Sequence, residues 1–531
     1  MRVTSQPELV RPRLSYPDIP YGAMLDRPVM LYPDRTAVVF NDTSVTFREL
    51  DGLVNAFANA LRGLGIGRGD RVALYMTNRP EYVVSFFALA RIGAVSSPMN
   101  PSYREREVAY QLGDSESVAV VVQHDLAAAV RAVRGELPRL KHVITVGPGT
   151  PVESDTIRFP DLIAGAPPAP PPVELHGDDL LTLPYSSGTT GMPKGVLLSH
   201  RNFVANNLQF IASSRVTEDD RFLIFLPLYH IYGLMLMGGA VHAGVRTVLM
   251  ERFDPNECLR LTQAEKITIV FAVPPVLVLF CQRTDLAQVD WSSVRHVMIG
   301  AAPVPPEVSR RFTEITGVKV VQGYGLTEAS PITHLNPVYD DALLTIDTTG
   351  LPCNDTEQKV VDLETGEREL GPNEVGEVII RGPQVMLGYW NAPEATAATV
   401  RNGWLYTGDI GRIDERGYLT ITDRKKEMIK YKGFGIAPAE IEALLFEHPG
   451  VADGAVIGKP DLEAGEVPKA FVVRKDPTLT AEALLEWARG RLAGYKTLHE
   501  VEFVDAIPKT ASGKILRRVL KEQERKRVGL G

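Results

Sequence analysis

From Arg71 onward, short apolar runs alternate with amphipathic stretches of helical period, and this alternation constrains the fold more than any other feature of the chain. Such runs are strand-length, and the stretches between them suit crossover helices. Repeated βα units of this kind build parallel sheets covered by helices on both faces. The first set predicts strand Arg71 to Tyr75, helix Glu81 to Arg91, strand Gly93 to Pro98, strand Val118 to Val122 and an alanine-rich helix Leu126 to Val133. Pro167, Pro168 and Pro170 to Pro172 then predict a stiff, extended linker, separating this unit from a second that opens with a glycine-rich loop. The second set predicts strands at Phe222 to Leu226, Val245 to Met250, Thr268 to Val273, Val294 to Ile299 and Val318 to Gln322. Asn373 to Arg381 reads as part of a small β subdomain.

After Asp423 the character changes. Charges crowd into Arg424-Lys425-Lys426-Glu427, and a compact α+β pattern follows. It comprises helix Ala439 to Glu447, strands Gly454 to Ile457 and Ala470 to Val473, helix Ala481 to Leu492 and strand Val501 to Val504. The expected architecture is α/β. A large N-terminal domain (residues 1–423) holds two parallel α/β sheet units and the small β subdomain. A small, mobile α+β C-terminal domain (residues 427–531) follows a hinge at residues 424–426.

A length of 531 residues is too great for one core, in keeping with this division. A net charge of −8 gives no general reason to expect nucleic-acid binding. The cationic ending, Arg517-Arg518 and Lys521 to Arg527, reads as a solvated helix of mixed charge rather than an anion-binding tail. Cys258, Cys281 and Cys353 lie far apart, with neither metal nor disulfide spacing, which fits a reducing cytoplasm. No run approaches 18 apolar residues, Met1 to Pro20 lacks a signal-peptide pattern, and the final residues form no peroxisomal tripeptide. A cytoplasmic protein without a membrane span is expected.

Five segments carry chemistry. Leu183-Pro184-Tyr185-Ser186-Ser187-Gly188-Thr189-Thr190-Gly191-Met192-Pro193-Lys194-Gly195 combines glycines, hydroxyls and a lysine, a set suited to a polyphosphate. Pro193 and Val196 stand where a Walker A loop would need its second glycine, so it is not that motif. Gln322-Gly323-Tyr324-Gly325-Leu326-Thr327-Glu328 ends a predicted strand, where open α/β sheets bind ligands; Tyr324 offers a stacking face and Glu328 a hard oxygen ligand for Mg²⁺. In Thr407-Gly408-Asp409, the aspartate can accept from both hydroxyls of a ribose. Asp423 to Gly435 and Ile507-Pro508-Lys509-Thr510-Ala511-Ser512-Gly513-Lys514 are lysine-rich. Taken singly, each reads equally as a solvated surface loop, although Lys514 after Ser-Gly can be aimed as a point charge.

Taken in order, these five segments resemble the adenylate-forming superfamily, which includes acyl-CoA synthetases, 4-coumarate–CoA ligases, luciferases and peptide-synthetase adenylation domains. The resemblance runs from about Thr46 to Arg518. It is strongest to the coumarate and fatty-acyl ligases, through Pro227-Leu228-Tyr229-His230-Ile231-Tyr232-Gly233 and the Tyr495-Lys496 ending. It implies a carboxylate attacking the α-phosphorus of ATP, then transfer of the acyl group to coenzyme A. Ser186, Ser187, Gly188, Thr189, Thr190, Gly191 and Lys194 would hold the β- and γ-phosphates. Gly323, Tyr324 and Gly325 would approach the nucleotide, Thr327 the α-phosphate, Glu328 the Mg²⁺, and Asp409 the ribose with Arg424 nearby. Lys514 would bridge carboxylate and phosphate, with His230 at the pocket mouth. After rotation about Lys426, Lys430, Gly433 and Phe434 would line the pantetheine tunnel. Gly435, where coumarate ligases often carry glutamine, and Thr497-Leu498 depart from the pattern.

The same resemblance places Ile231, Tyr232, Gly238, Gly300, Ala301, Gly323, Pro331 and Ile332 around the acid. Both Gly300 and Gly323 are expected to face the cleft, so that enlarging either would narrow the choice of acid. These walls are apolar and several are small, with no charged residue to pair with an ammonium. An aryl-propenoic or medium-chain fatty acid fits them, and an unusual small acid stays open. Coenzyme A is the expected acceptor and an acyl carrier protein the alternative. A non-catalytic binding protein on this fold is the reading of another class.

Overall fold

The computed structural model describes residues 11–531 except 152, 187–192, 432–433, 462–463, 493–495, 511–512 and 528–531; nothing is stated of the Phe434 side chain. In the first sheet, strands Val95–Pro98, Arg71–Tyr75, Ala119–Gln123 and His142–Val146 lie parallel in that order, with Val72 opposite both Ser96 and Ala119. Val120 to Val122 are fully buried, as a strand covered on both faces requires. Helix Pro80–Ile92 packs beside them. Pro80 presets the first turn, and Gly93 ends it at φ +70, a conformation costly for any residue with a Cβ. The alanine-rich segment starts as a 3₁₀ turn, His124–Leu126, before the helix Ala127–Val133.

The glycine-rich loop belongs to this first sheet, rather than opening the second as its sequence position suggested. Tyr185–Ser186 and the start of Lys194–Ser199 form an antiparallel pair around it, while Leu180–Thr182 joins Lys194–Ser199 to Val95–Pro98. The physical reason is edge pairing: Val95–Pro98 would otherwise leave its buried backbone groups unsatisfied. The proline stretch is no free spacer either. The amides of Asn55 and Asn59, on helix Phe47–Gly63, donate to the carbonyls of Pro167, Pro168 and Ala169, so it is strapped along that helix.

The second sheet runs Arg246–Leu249, Arg221–Ile224, Ile269–Ala272, His296–Ile299 and Lys319–Gly325, all parallel, followed by the antiparallel strand Ile332–Leu335. Its far side comes from Thr36–Phe40, which pairs parallel with Arg246–Leu249, and from Thr43–Thr46, which pairs antiparallel with Thr36–Phe40 and forms the edge. Phe222 and Phe271 pack edge to face at 4.7 Å in the core beneath. The small β sheet is antiparallel: Glu357–Val361, Gly376–Arg381, Trp404–Ile413 and Leu419–Arg424.

From Ile429 the chain builds a sheet of its own around the long hairpin Val451–Asp461 and Gly465–Arg474, more than twice the length the sequence pattern suggested. Helix Ala481–Arg489 stops short of Leu492. Ile441, Leu445, Val456 and Val472 form one small core, and Ile457, Phe471, Ile507 and Leu520 another. The C-terminal helix Arg517–Arg527 is not simply solvated. Arg517 pairs with buried Glu442 at 2.6 Å, and Glu524 meets the buried Lys469 at 2.7 Å. Lys469 also reaches Glu500 at 2.7 Å and Glu502 at 3.0 Å. Among the described residues, no helix is long and apolar enough to cross a membrane.

Candidate active site

A cleft of 860 Å³ opens at the C-terminal ends of the second sheet and is closed by the small β sheet and the small domain. Strand ends supply Ile299, Gly300, Gly323, Tyr324 and Gly325. Thr327 and Glu328 follow on the next turn, and the small domain contributes Lys509, Thr510, Lys514 and Leu516. Ser186 and Lys194 enter from the base of the glycine-rich loop, so residues from segments far apart in sequence converge here. Ser187, Gly188, Thr189, Thr190, Gly191 and Gly433 lie outside the described residues.

The nucleotide-side groups hold one another. The Tyr324 hydroxyl donates to Asp409 Oδ2 at 2.6 Å, and Arg424 Nε lies 3.2 Å from Asp409 Oδ1. Strand pairing of Asp409 with Arg424 puts the last two side by side. Burial, then the neighbouring Asp409, holds the Tyr324 hydroxyl far above its ordinary pKa, so it remains a donor. Burial opposes the Arg424 charge, but Asp409 and then Tyr324 outweigh it and the guanidinium's pKa rises. Asp409 is buried just behind the wall. Cationic Lys194, Arg401, Arg424, Lys425, Lys426, Lys509 and Lys514 face acidic Glu328 and Glu377, giving an anion-attracting cleft on a net acidic protein.

Lys514 reaches this cleft from the loop before helix Arg517–Arg527. Burial lowers its ammonium to about 8, with Arg424 adding to the fall and Asp409 and Glu427 opposing it. Burial, with Lys514 as the second cause, drops His230 to about 4, so its imidazole is neutral near pH 7. His230 is also structural, because its Nδ1 accepts from the Tyr232 backbone N–H at 3.3 Å and so caps helix Ile231–Ala243.

Ile231, Tyr232, Met235, Gly300, Ala301, Pro331 and Ile332 form the apolar end. A Cβ on Gly300 would approach Tyr232 Cε1 at 3.2 Å, inside this pocket. Ala301 holds φ +71, an uncommon conformation for a residue with a side chain and one that clusters at functional sites. Two expectations need correction. Gly238 is not a wall, since a Cβ there would run into the Tyr21 hydroxyl and Asn207 behind the helix. Gly323 borders the cleft, but its missing Cβ points at Leu335 and the His334 carbonyl, 3.2 and 3.3 Å away on the adjacent strand. Lys430 stands apart from the cleft, where its backbone N–H donates to Glu466.

Sequence reasoning missed Tyr389 and Glu377. The Tyr389 hydroxyl donates to Glu328 Oε1 at 2.9 Å, and Lys194 Nζ lies 5.5 Å from its ring centre. Buried Glu377 accepts from the Gly408 N–H and pairs with Lys425 at 2.8 Å, tying the 424–426 turn to the Thr407-Gly408-Asp409 turn. A buried glutamate amid a strand's apolar run, Val375-Gly376-Glu377-Val378, was the available signal for the second. Among the described residues, no three His, Cys, Asp or Glu side chains group as a metal cage. One carboxylate, Glu328, at the cleft suits Mg²⁺, which is typically held by one or two carboxylates together with substrate phosphates.

Known proteins resemble the chain over nearly its whole length. Residues 25–390 match the AMP-binding enzyme family, and residues 440–514 the AMP-binding enzyme C-terminal domain. A long-chain-fatty-acid–CoA ligase of Bacillus subtilis (strain 168) is 36% identical over 524 residues, covering 93% of this chain and 92% of that protein. A 4-coumarate–CoA ligase 2 of Oryza sativa subsp. japonica is 39% identical over 511 residues, covering 92% and 90%. The anthranilate CoA ligase AuaEII in complex with anthranoyl-AMP superposes with TM-score 0.90 at 30% identity, covering 97% of this chain and 98% of that one. ATP-bound MatB from Rhodopseudomonas palustris gives 0.88 at 32% identity, covering 96% and 99%. The chain belongs to the adenylate-forming superfamily of AMP-binding enzymes, alongside AMP-forming acid–thiol ligases.

Proposed function

We propose that this protein is an ATP-dependent carboxylic acid–CoA ligase acting through an acyl-adenylate. The observation that carries the reading is the convergence of Lys514, from the small domain, with Arg424, Tyr324, Thr327 and Glu328 of the large domain on one cleft. In the first half-reaction a carboxylate oxygen bonds to the α-phosphorus of ATP, and the bond to the bridging oxygen breaks, releasing pyrophosphate. Lys514 brings its ammonium between the two anions and lowers their repulsion as they close. Asp409, already an acceptor for Tyr324, takes the ribose hydroxyls; Thr327 donates to the α-phosphate, and Ser186 and Lys194 meet the outer phosphates. Bound Mg²⁺ would neutralise phosphate charge, and Glu328 is the residue that would hold it.

In the second half-reaction a thiol attacks the acyl carbon and AMP leaves. The reading assigns the hinge to residues 424–426, turning the small domain and withdrawing Lys514 so that Lys430, Gly433 and Phe434 approach the pantetheine. The acid is proposed to be an aryl-propenoic acid, with a medium-chain fatty acid as the second reading. The support is the apolar end, where Ile231, Tyr232, Met235, Pro331 and Ile332 bring no charged group to the acid. Scattered free cysteines fit a cytoplasmic setting.

The test is ATP–pyrophosphate exchange with 4-coumarate, cinnamate, octanoate and dodecanoate, followed by product analysis with coenzyme A or an acyl carrier protein. Coumarate-dependent exchange and coumaroyl-CoA are expected. Exchange with octanoate alone removes the aryl assignment, and loading of the carrier protein alone removes coenzyme A. No acid-dependent exchange with any of them leaves an unusual small acid or the binding-protein reading.

A further inference from the structure

The loop that carries Lys514 meets the large domain on an unyielding surface. A Cβ on Gly513 would lie 2.8 Å from both Cγ and Cδ of Pro275 and 3.5 Å from Val273 Cγ2. Pro275 sits in the first turn of helix Pro274–Cys281, and its ring has no alternative rotamer to adopt. On its own side the described residues Thr510, Gly513 and Lys514 are tied to one another. Gly513 N–H donates to the Thr510 carbonyl at 2.8 Å, Thr510 N–H to the Lys514 carbonyl at 2.8 Å, and Lys514 N–H to Thr510 Oγ1 at 3.0 Å. Lys509 pairs with Asp453 at 2.6 Å before the turn, and Arg517 with Glu442 at 2.6 Å after it. Gly513, held by these bonds and set against the Pro275 ring, acts as a stop.

We infer that Gly513 and Pro275 form the seat that sets how far the small domain advances Lys514 into the cleft, which makes both of them positioning residues for adenylation. The inference rests on the adenylating reading above. Any side chain at 513 would hold the two domains apart by roughly 1 Å, since non-bonded carbons sit at about 3.5–4 Å. A shift of that size at a reacting centre costs on the order of 100-fold. The thiol-transfer orientation, in which Lys514 has withdrawn, does not use the seat.

Two half-reactions separate this role from damage. Acid-dependent ATP–pyrophosphate exchange reads the first, with 4-coumarate or dodecanoate as the acid. Conversion of the supplied acyl-adenylate to acyl-CoA reads the second. Gly513→Ala is expected to lose about 10- to 100-fold in exchange while thioester formation stays within about twofold. Gly513 has φ +79, so alanine is strained there whatever the space. Pro275→Trp therefore fills the seat from the opposite side on ordinary backbone, and the same split is expected. Equal loss in both half-reactions, or wild-type exchange in both Gly513→Ala and Pro275→Trp, overturns the seat while the adenylating reading stands. Absence of acid-dependent exchange in the wild type overturns both.

Discussion

On the large-domain side of the cleft, polar groups are tied to other elements of the same domain: Tyr324 to Asp409, Asp409 to Arg424, Glu328 to Tyr389. On the small-domain side a single ammonium rides a loop braced against its own sheet by Lys509–Asp453 and Arg517–Glu442. The first half is assembled before any ligand arrives. On the function proposed above, the second is a portable part, presented or withdrawn as a unit. One cleft would then serve two reactions, because only the portable half would need to change place.

The strongest way to break this contrast is Lys514→Ala. It should cost on the order of 100- to 1000-fold in acid-dependent pyrophosphate exchange, while conversion of a supplied acyl-adenylate to thioester continues at the wild-type rate. Equal loss in both steps would make Lys514 part of the fixed half. Next, Lys426→Pro fixes φ where the rotation is proposed, and thioester formation should slow by roughly 10- to 100-fold while adenylation persists. Rapid quench should show acyl-AMP accumulating with CoA present, and Lys426→Ala should lose far less. Wild-type turnover by the proline variant would put the hinge elsewhere.

A smaller effect follows from charge. Lys514 works as an ammonium and its pKa is lowered to about 8 by burial, so the active form prevails below that pH and is lost above it. The kcat/KM for adenylation should fall roughly tenfold per pH unit beyond about 8. Lys514→Arg, should it retain activity, ought to lose this limb, and a limb unchanged by that substitution belongs to another group. The smallest effect sharpens the fixed half. Gly300→Ala presses a methyl against Tyr232 and should raise the KM of bulky acids a few-fold with little change for ATP. An acid profile identical to wild type would remove Gly300 from the acid pocket.

Much of this was legible because it is local. The Ser-Thr-Gly-Lys loop, Tyr324 to Glu328 and Thr407 to Asp409 each place their chemistry within a few consecutive residues, and the βα alternation carries its own period. What stayed hidden depends on partners distant in the chain. Thr36–Phe40 gives no sign that, with Thr43–Thr46 beside it, it extends a sheet whose remaining strands begin at Arg221. Tyr389 bears no motif and is drawn to Glu328 only by tertiary packing. Gly323 looked like Gly300 because both end strands at the cleft. The direction of a missing Cβ depends on pleat and register, which turn one toward Tyr232 and the other toward Leu335.

The cluster around Lys469 bears on how such a sequence can drift. Its ammonium is buried among Glu500, Glu502 and Glu524, the last from the C-terminal helix. Losing Lys469 alone would leave the buried Glu524 with only Lys459, 3.7 Å away, while Glu500 and Glu502 keep Lys459 and Arg527; removing one partner of a buried pair can cost about 3–5 kcal/mol. Exchanging both positions together for apolar residues of similar volume can be close to neutral. Lineages should therefore cross between the two solutions in paired steps. Sites 469 and 524 are expected to co-vary among descendants, although neither lines the cleft.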